Sequence, residues 1–227
     1  MPRQLRAEQT RTTIITAAAD LFDRRGYERT SLGDIAEHAR VTKGALYFHF
    51  AAKEDLAHAI MELQSRAARK AVSDVDGRGC PSLEALMRIT FAFTRLCVED
   101  PVARAELRLV TGGVGVRPPL RHPFTEWLEI ATRKLVGAVR EADVHPDVDV
   151  HAAAHSLVCL LVGARLTGPA LEPVARLPRR TTEMWHLVIR GLVPVPRRPR
   201  YLSLATQLAR EVRVVPASVG RAAGPPR

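Results

Sequence analysis

Cysteine is scarce in this chain. Cys80, Cys97 and Cys159 are isolated and odd in number, which argues against a disulfide framework and against a zinc site built on paired ligands. A reducing cytoplasm is the compartment that fits. Aromatic residues are few, at 5%, and tryptophan occurs only at 127 and 185. No run approaches 18 consecutive apolar residues, so no membrane span is expected. The opening MPRQLRAEQTR lacks the apolar core of a signal peptide. No alternating strand pattern bounded by hairpin turns occurs. The eight histidines are scattered. His145, His151 and His155 come closest to metal spacing, but no second cluster completes a site, so neither a metal nor a cofactor is expected. No nucleophile elbow or carboxylate dyad stands out, and no catalytic residue is assigned.

What is present is helical periodicity. The chain has 227 residues, 46% hydrophobic and 26% charged, ordinary for a globular protein. Its net charge of +10 is unevenly spread: residues 176–227 hold 11 basic and 2 acidic side chains, +9 of the total. Charge alone therefore does not point to nucleic acid. Arg3, Arg6 and Arg11 at the N-terminus add a small local excess.

The most informative stretch is SLGDIAEHARVTKGALYFHF, residues 31–50. Leu32, Ile35, Ala36 and Ala39 form one apolar helix face, with Thr30 placed to cap it. Thr42 is a second capping hydroxyl, and Lys43 to His49 make about two turns. Leu46 and Phe50 lie on one side, Lys43 and Tyr47 on another. Two short helices joined by a tight turn, the second with a polar face, read as a helix-turn-helix whose second helix enters the DNA major groove. Lys43 and the Thr42 hydroxyl can donate to phosphates or base edges. Gly44 permits close backbone approach, at a cost of roughly 1 kcal/mol in helix propensity.

Around this stretch the spacing predicts a first helix over 5–25 stopped by Gly26. A long helix follows over 53–74, then apolar helical segments over 83–110 broken at Pro101. Residues 111–123 read as a loop. Helices follow over 124–142, after an Asp149 cap, and over 182–191. Prolines 194, 196 and 199 read as a stiff linker, residues 201–212 as a final short helix, and the tail beyond Pro216 as disordered. The chain is all-α. Its expected division is a DNA-binding head over 1–52, a helical ligand-binding and dimerisation domain over 53–200, and a short helix with a basic tail over 201–227. Trp127 and Phe93 beside Thr90 and Gln64 fit either an apolar pocket with a few polar groups or plain core. The helices around 153–164 and 182–191 are apolar on more than one face, which suits a four-helix dimer interface. Leu157, Leu160, Ala164, Trp185 and Val188 are its candidate residues.

Residues 11–56 resemble the DNA-binding head of the TetR family, through Ile15, Ala18, Leu21, Phe22, Gly26, Tyr27, Thr30, Ile35, Ala36, Val41, Lys43, Gly44, Leu46, Tyr47, His49, Phe50, Lys53 and Leu56. Arg40 stands where many members have glycine. The resemblance implies a homodimer on double-stranded operator DNA, with His49 and Lys53 at phosphate-contacting positions. Segments RQLRAEQTR, GALYFHFAAKEDLAHAI, SLEALM, RPPLRHPFTEW, LVCLLVGAR and VIRGLVPV are further similar to the gamma-butyrolactone receptors of actinomycetes. Those are repressors that sense small lactone signals and control antibiotic production and development. That similarity implies that Trp127 lines the lactone pocket and that Gln64 hydrogen-bonds the ligand. Leu161 stands where some members place Thr. Two readings stay open: a repressor released by a gamma-butyrolactone, and a pseudo-receptor that binds DNA without answering one.

Overall fold

The computed structural model describes residues 2–112 and 123–212. Among these, ten α-helices carry the fold. They are α1 (Pro2–Arg25), α2 (Leu32–His38), α3 (Lys43–His49), α4 (Lys53–Asp76), α5 (Ser82–Glu99), α6 (Pro101–Thr111), α7 (Pro123–Arg140), α8 (Val150–Leu171), α9 (Leu177–Leu192) and α10 (Arg198–Glu211). The architecture is all-α, a helix-turn-helix head followed by a helical bundle. Residues 113–122 and the tail beyond Pro216 lie outside the described residues.

Local chemistry fixes the head. α2 is capped by Ser31 rather than Thr30. The Ser31 hydroxyl accepts from the Asp34 amide at 3.1 Å, and the Asp34 carboxylate accepts from the Ser31 amide at 2.9 Å, a reciprocal capping box. Thr30 is buried and donates to the Gly26 carbonyl at 2.9 Å. Thr42 caps α3 as the sequence suggests, accepting from the Ala45 amide at 3.1 Å. Arg40, in the turn between α2 and α3, has φ +54°. It takes up the left-handed conformation that glycine adopts without strain.

The head core joins elements distant in sequence. Ile14, Ile15 and Phe22 of α1 meet Ile35, Leu46 and Phe50, and the same cluster includes Leu56 and Ile60 of α4 and Val102, Ala105 and Leu109 of α6. Asp23 of α1 accepts from Arg104 Nε at 2.7 Å and Arg108 Nε at 3.1 Å, both on α6. A second core packs α5, α7, α8, α9 and α10 around Met87, Leu135, Leu157, Trp185 and Tyr201. The α5–α7 contact is close: a Cβ on Gly137 would collide with the Ser82 side chain. The Ser82 amide and hydroxyl donate to Glu141 at 2.8 and 2.6 Å.

Three elements differ from the spacing-based expectation. α9 starts at Leu177 rather than 182, with Pro178 in its first turn, where a missing N–H removes no helical bond. The expected linker at prolines 194, 196 and 199 is a short 3-10 turn, Val195–Arg197, running into α10. α10 is not an appendage, because Tyr201 and Ala205 are fully buried against the second core. The Val150–Thr167 stretch of α8 has no unbroken apolar run, being interrupted by His151, His155, Ser156 and Arg165, yet by length and composition it could cross a bilayer, and 28% of it is buried.

The left-handed Arg40 yields a direct test. Relief of roughly 1–2 kcal/mol of backbone strain, less the entropy that glycine gains in the unfolded chain, makes Arg40→Gly more stable by about 0.5–1 kcal/mol, read from urea denaturation midpoints.

Candidate functional site

α3 presents a continuous exposed face. Leu46 and Phe50 anchor it in the head core, and Arg11 lies over the Phe50 ring at 5.3 Å. Thr42, Lys43, Gly44 and Tyr47 are exposed, and Phe48 is 80% exposed. A Cβ on Gly44 would meet nothing within 4 Å, so the chain's own packing gives no reason for glycine there. His49 is half-buried, edge-on to Phe48 with ring centres 5.1 Å apart. Sequence reasoning missed Phe48. Its signal was the i, i+4 pairing with Gly44, off the Leu46–Phe50 side, where an apolar ring has no core to enter.

Lys53 differs from its neighbours in the candidate set. Its Nζ donates to the Tyr27 carbonyl at 2.9 Å and sits 4.1 Å from the Tyr27 ring centre. It therefore ties the start of α4 to the turn after α1. Burial, with Glu54 adding, pushes the Tyr27 phenol up to about 12, so the ring facing this ammonium stays neutral.

The candidate ligand residues do not all converge. Phe93 stacks on Trp127 with centroids 5.3 Å apart at 27°. Both line a groove of about 440 Å³ between α4 and α7, flanked by Val72 and Ile130. Gln64 is 6% exposed, and its Oε1 has no donor. Thr90 donates to the Leu86 carbonyl at 2.7 Å, so its hydroxyl proton is used within its own helix. Leu161 packs with the second core. Gln64, Thr90 and Leu161 line neither this groove nor the larger cavity described below.

Residues 14–60 match the family described as bacterial regulatory proteins, tetR family, and residues 80–194 match the tetracyclin repressor-like C-terminal domain. The chain belongs to the TetR family. Its fold superposes with TM-score 0.83 on a crystal structure described as a gamma-butyrolactone receptor (ArpA-like protein), at 64% identity over 91% of this chain and 99% of that one. A structure of the TetR family protein CprB from Streptomyces coelicolor with its operator sequence gives 0.84 at 66% identity, over 90% and 98%. The A-factor receptor protein of Streptomyces griseus is 35% identical over 189 residues, 83% of this chain but 66% of that protein. This TetR-family regulator is thus closely related to gamma-butyrolactone receptors.

The outer surface of the TetR bundle sorts the candidate dimerisation residues. Trp185 is fully buried and Leu157 nearly so within the single chain. Both pack in the chain's own core, which leaves them little surface for the interface to which the spacing assigned them. Val188 is half-buried against that core. Ala164 and Leu160 line an outward cavity, with Leu160 45% and Leu187 70% exposed. His155 lies 3.7 Å from Cys159 Sγ through its Nδ1.

One buried acid sits between the two cores. Burial raises Glu106 of α6 to about 7, a shift that the Arg165 charge opposes. The unfolded group titrates near 4.5. Between those values the folded state holds the extra proton, so the stability this group allows is full below about 4.5 and is lost as pH rises through about 7. Glu106→Gln should therefore be more stable than the parent at pH 8, by about 3 kcal/mol. The gap should close toward pH 5, as measured by denaturation at each pH.

Proposed function

We propose that the protein is a homodimeric repressor that holds a pseudo-palindromic operator and releases it when a small gamma-butyrolactone-type signal enters the C-terminal bundle, in control of antibiotic production or development. The observation that carries the DNA half is the face of α3. Thr42, Lys43, Gly44, Tyr47 and Phe48 are exposed, while Leu46 and Phe50 fix the helix to the head. Lysine and hydroxyl donors suit phosphates and base edges, and rings suit thymine methyls. His49 and Lys53 flank this face, Lys53 bracing the head through Tyr27. Two such heads read half-sites about 34–36 Å apart, or a multiple.

Pairing through α8 and α9 is supported by their outward stripe. Ala152, Ser156 and Cys159 are small and exposed, and a Cβ on Gly163 would meet open space. Leu160 and Leu187 stand out as exposed apolar groups in the same region, a combination that favours close helix packing by a second copy. The signal half is supported by the Phe93–Trp127 stack in its groove. By linkage, operator DNA weakens signal binding by the factor by which the signal weakens DNA binding.

Leu187→Glu tests the pairing. It places a charge on an exposed side chain and leaves the core intact. The variant should be monomeric by light scattering, with native helix content, a melting temperature that no longer depends on protein concentration, and at least ten-fold weaker operator binding by gel shift. A variant that stays dimeric removes α9 from the interface.

Trp127→Phe tests the signal. Truncation to alanine would cost about 3–5 kcal/mol of packing, whereas phenylalanine keeps the stack on Phe93. In a gel-shift titration with a 2-acyl-gamma-butyrolactone, the native protein should release its operator. The variant should bind DNA normally and need at least ten-fold more lactone. No release of the native protein at any lactone concentration would refute the signal and leave the DNA half standing.

A further inference from the structure

The Phe93–Trp127 stack meets the aromatic groove and also a buried cation. Phe93 belongs to α5 and Trp127 to α7. Arg165 of α8 holds its guanidinium carbon 5.2 Å from the Trp127 ring and 5.7 Å from the Phe93 ring. Arg165 is 8% exposed and takes no part in the groove lining, so it touches the rings from outside the groove. Ring faces attract a cation, and more strongly away from water. Nε and Nη2 are buried without an acceptor. The guanidinium is therefore held at those atoms by charge and ring contact, not by directed hydrogen bonds, and it can shift without breaking one there.

α6 supplies the second attraction. Ala103 of α6 packs in one apolar cluster with Cys97, Leu177 and Ala164 of α8, so α6 and α8 approach through small residues. Arg165 follows Ala164 directly, and Glu106, 4% exposed, lies three residues after Ala103. Among the described residues, Arg165 is the charge that acts on the Glu106 carboxyl. Both charges reach the buried Cys97 thiol of α5, one turn beyond Phe93. On its other side α6 grips the head, with Arg104 and Arg108 bonded to Asp23 of α1. One buried cation thus stands between the rings that line the groove and the helix that holds the head. A buried cation left without compensation is unfavourable, so movement of the rings changes how strongly it is drawn to α6.

We propose that Arg165 couples the groove to the head: a signal that re-seats Trp127 and Phe93 sends the guanidinium toward Glu106 and moves α6 with it. The proposal rests on the lactone reading of the groove and names the residue through which that site is regulated. Arg165 is a positioning residue, in contact with neither signal nor DNA. Its effect belongs in the factor by which each ligand weakens the other, not in either affinity alone.

The experiment measures that factor on the full-length protein at pH 8, above the value of about 7 at which Glu106 gives up its proton. Operator DNA and 2-hexanoyl-gamma-butyrolactone are titrated separately and each in the presence of the other. In the native protein each should weaken the other by the same factor, at least about ten-fold. Arg165→Met keeps the length and removes the charge. It should hold both separate affinities within about three-fold and bring the mutual factor below about two-fold. A role in packing alone would lower the separate affinities and leave the factor as it was, which would overturn the proposal. Arg165→Lys keeps a cation between rings and carboxylate and should stay nearer the native factor; equal loss in both variants would overturn it too. A native factor in Arg165→Met removes the relay and leaves the lactone reading standing, whereas no mutual effect in the native protein removes both. If Arg165→Met fails to fold or loses either separate affinity, Glu106→Gln decides. It takes away the carboxylate at nearly constant size and should lose the factor in the same way; a native factor in that variant would overturn the proposal.

Discussion

The head is held to the body by the grip of α6 on α1. Asp23 accepts from both Arg104 and Arg108, and below that polar fork Val102, Ala105 and Leu109 enter the same apolar cluster as Ile14, Ile15 and Phe22. The Arg104 pair is part-buried and contributes about 1–2 kcal/mol. The Arg108 pair is more exposed and contributes about 1 kcal/mol at most. The packing matters more than the charges, because close-packed contacts shift between discrete arrangements rather than deforming smoothly. The opposite side of α6 carries Glu106 and Leu107 toward the bundle. A displacement of α6 by the contents of the bundle is therefore also a displacement of α1, and with it of α3. This is the mechanical route that the proposed release of DNA requires.

Much of the architecture was legible because the deciding forces were local. The helix-turn-helix followed from apolar spacing over residues 31–50, and Thr42 as a cap from its hydroxyl beside a helical run. Each of these depends on neighbours within a few residues. What stayed hidden depends on distant partners. Trp185 and Leu157 were assigned to an interface because periodicity says which face is apolar and not what covers it; α5, α7 and α10 cover them within one chain. Lys53 looked free, since nothing in sequence announces a carbonyl 26 residues earlier as its acceptor. Arg165 ends the apolar run LVCLLVGAR, and only the fold brings it over Trp127 and Phe93. Pro178 hid the start of α9, because a proline that would break a helix interior is tolerated in its first turn.

α8 explains why one chain is not a finished unit. Ala154, Leu157, Leu161 and Arg165 form its buried face, at spacings of three and four. The remainder is nearly as apolar, and only 28% of Val150–Thr167 is covered. A helix apolar on all sides needs cover on all sides. A lipid surface would be one kind of cover, but lipid gains nothing from a stripe as fine-grained as Ala152, Ser156, Cys159 and Gly163, which instead lets another backbone come near. A second copy presents the same stripe, and a two-fold axis makes such a stripe self-complementary. In the proposed dimer the two faces of α8 then have distinct tasks. The outer face fixes the spacing of the two heads, and the inner face carries the buried guanidinium beside the cavity. The apolar excess of α8, which invites a membrane reading from composition alone, is on this view what couples the interior of each chain to the geometry of the pair.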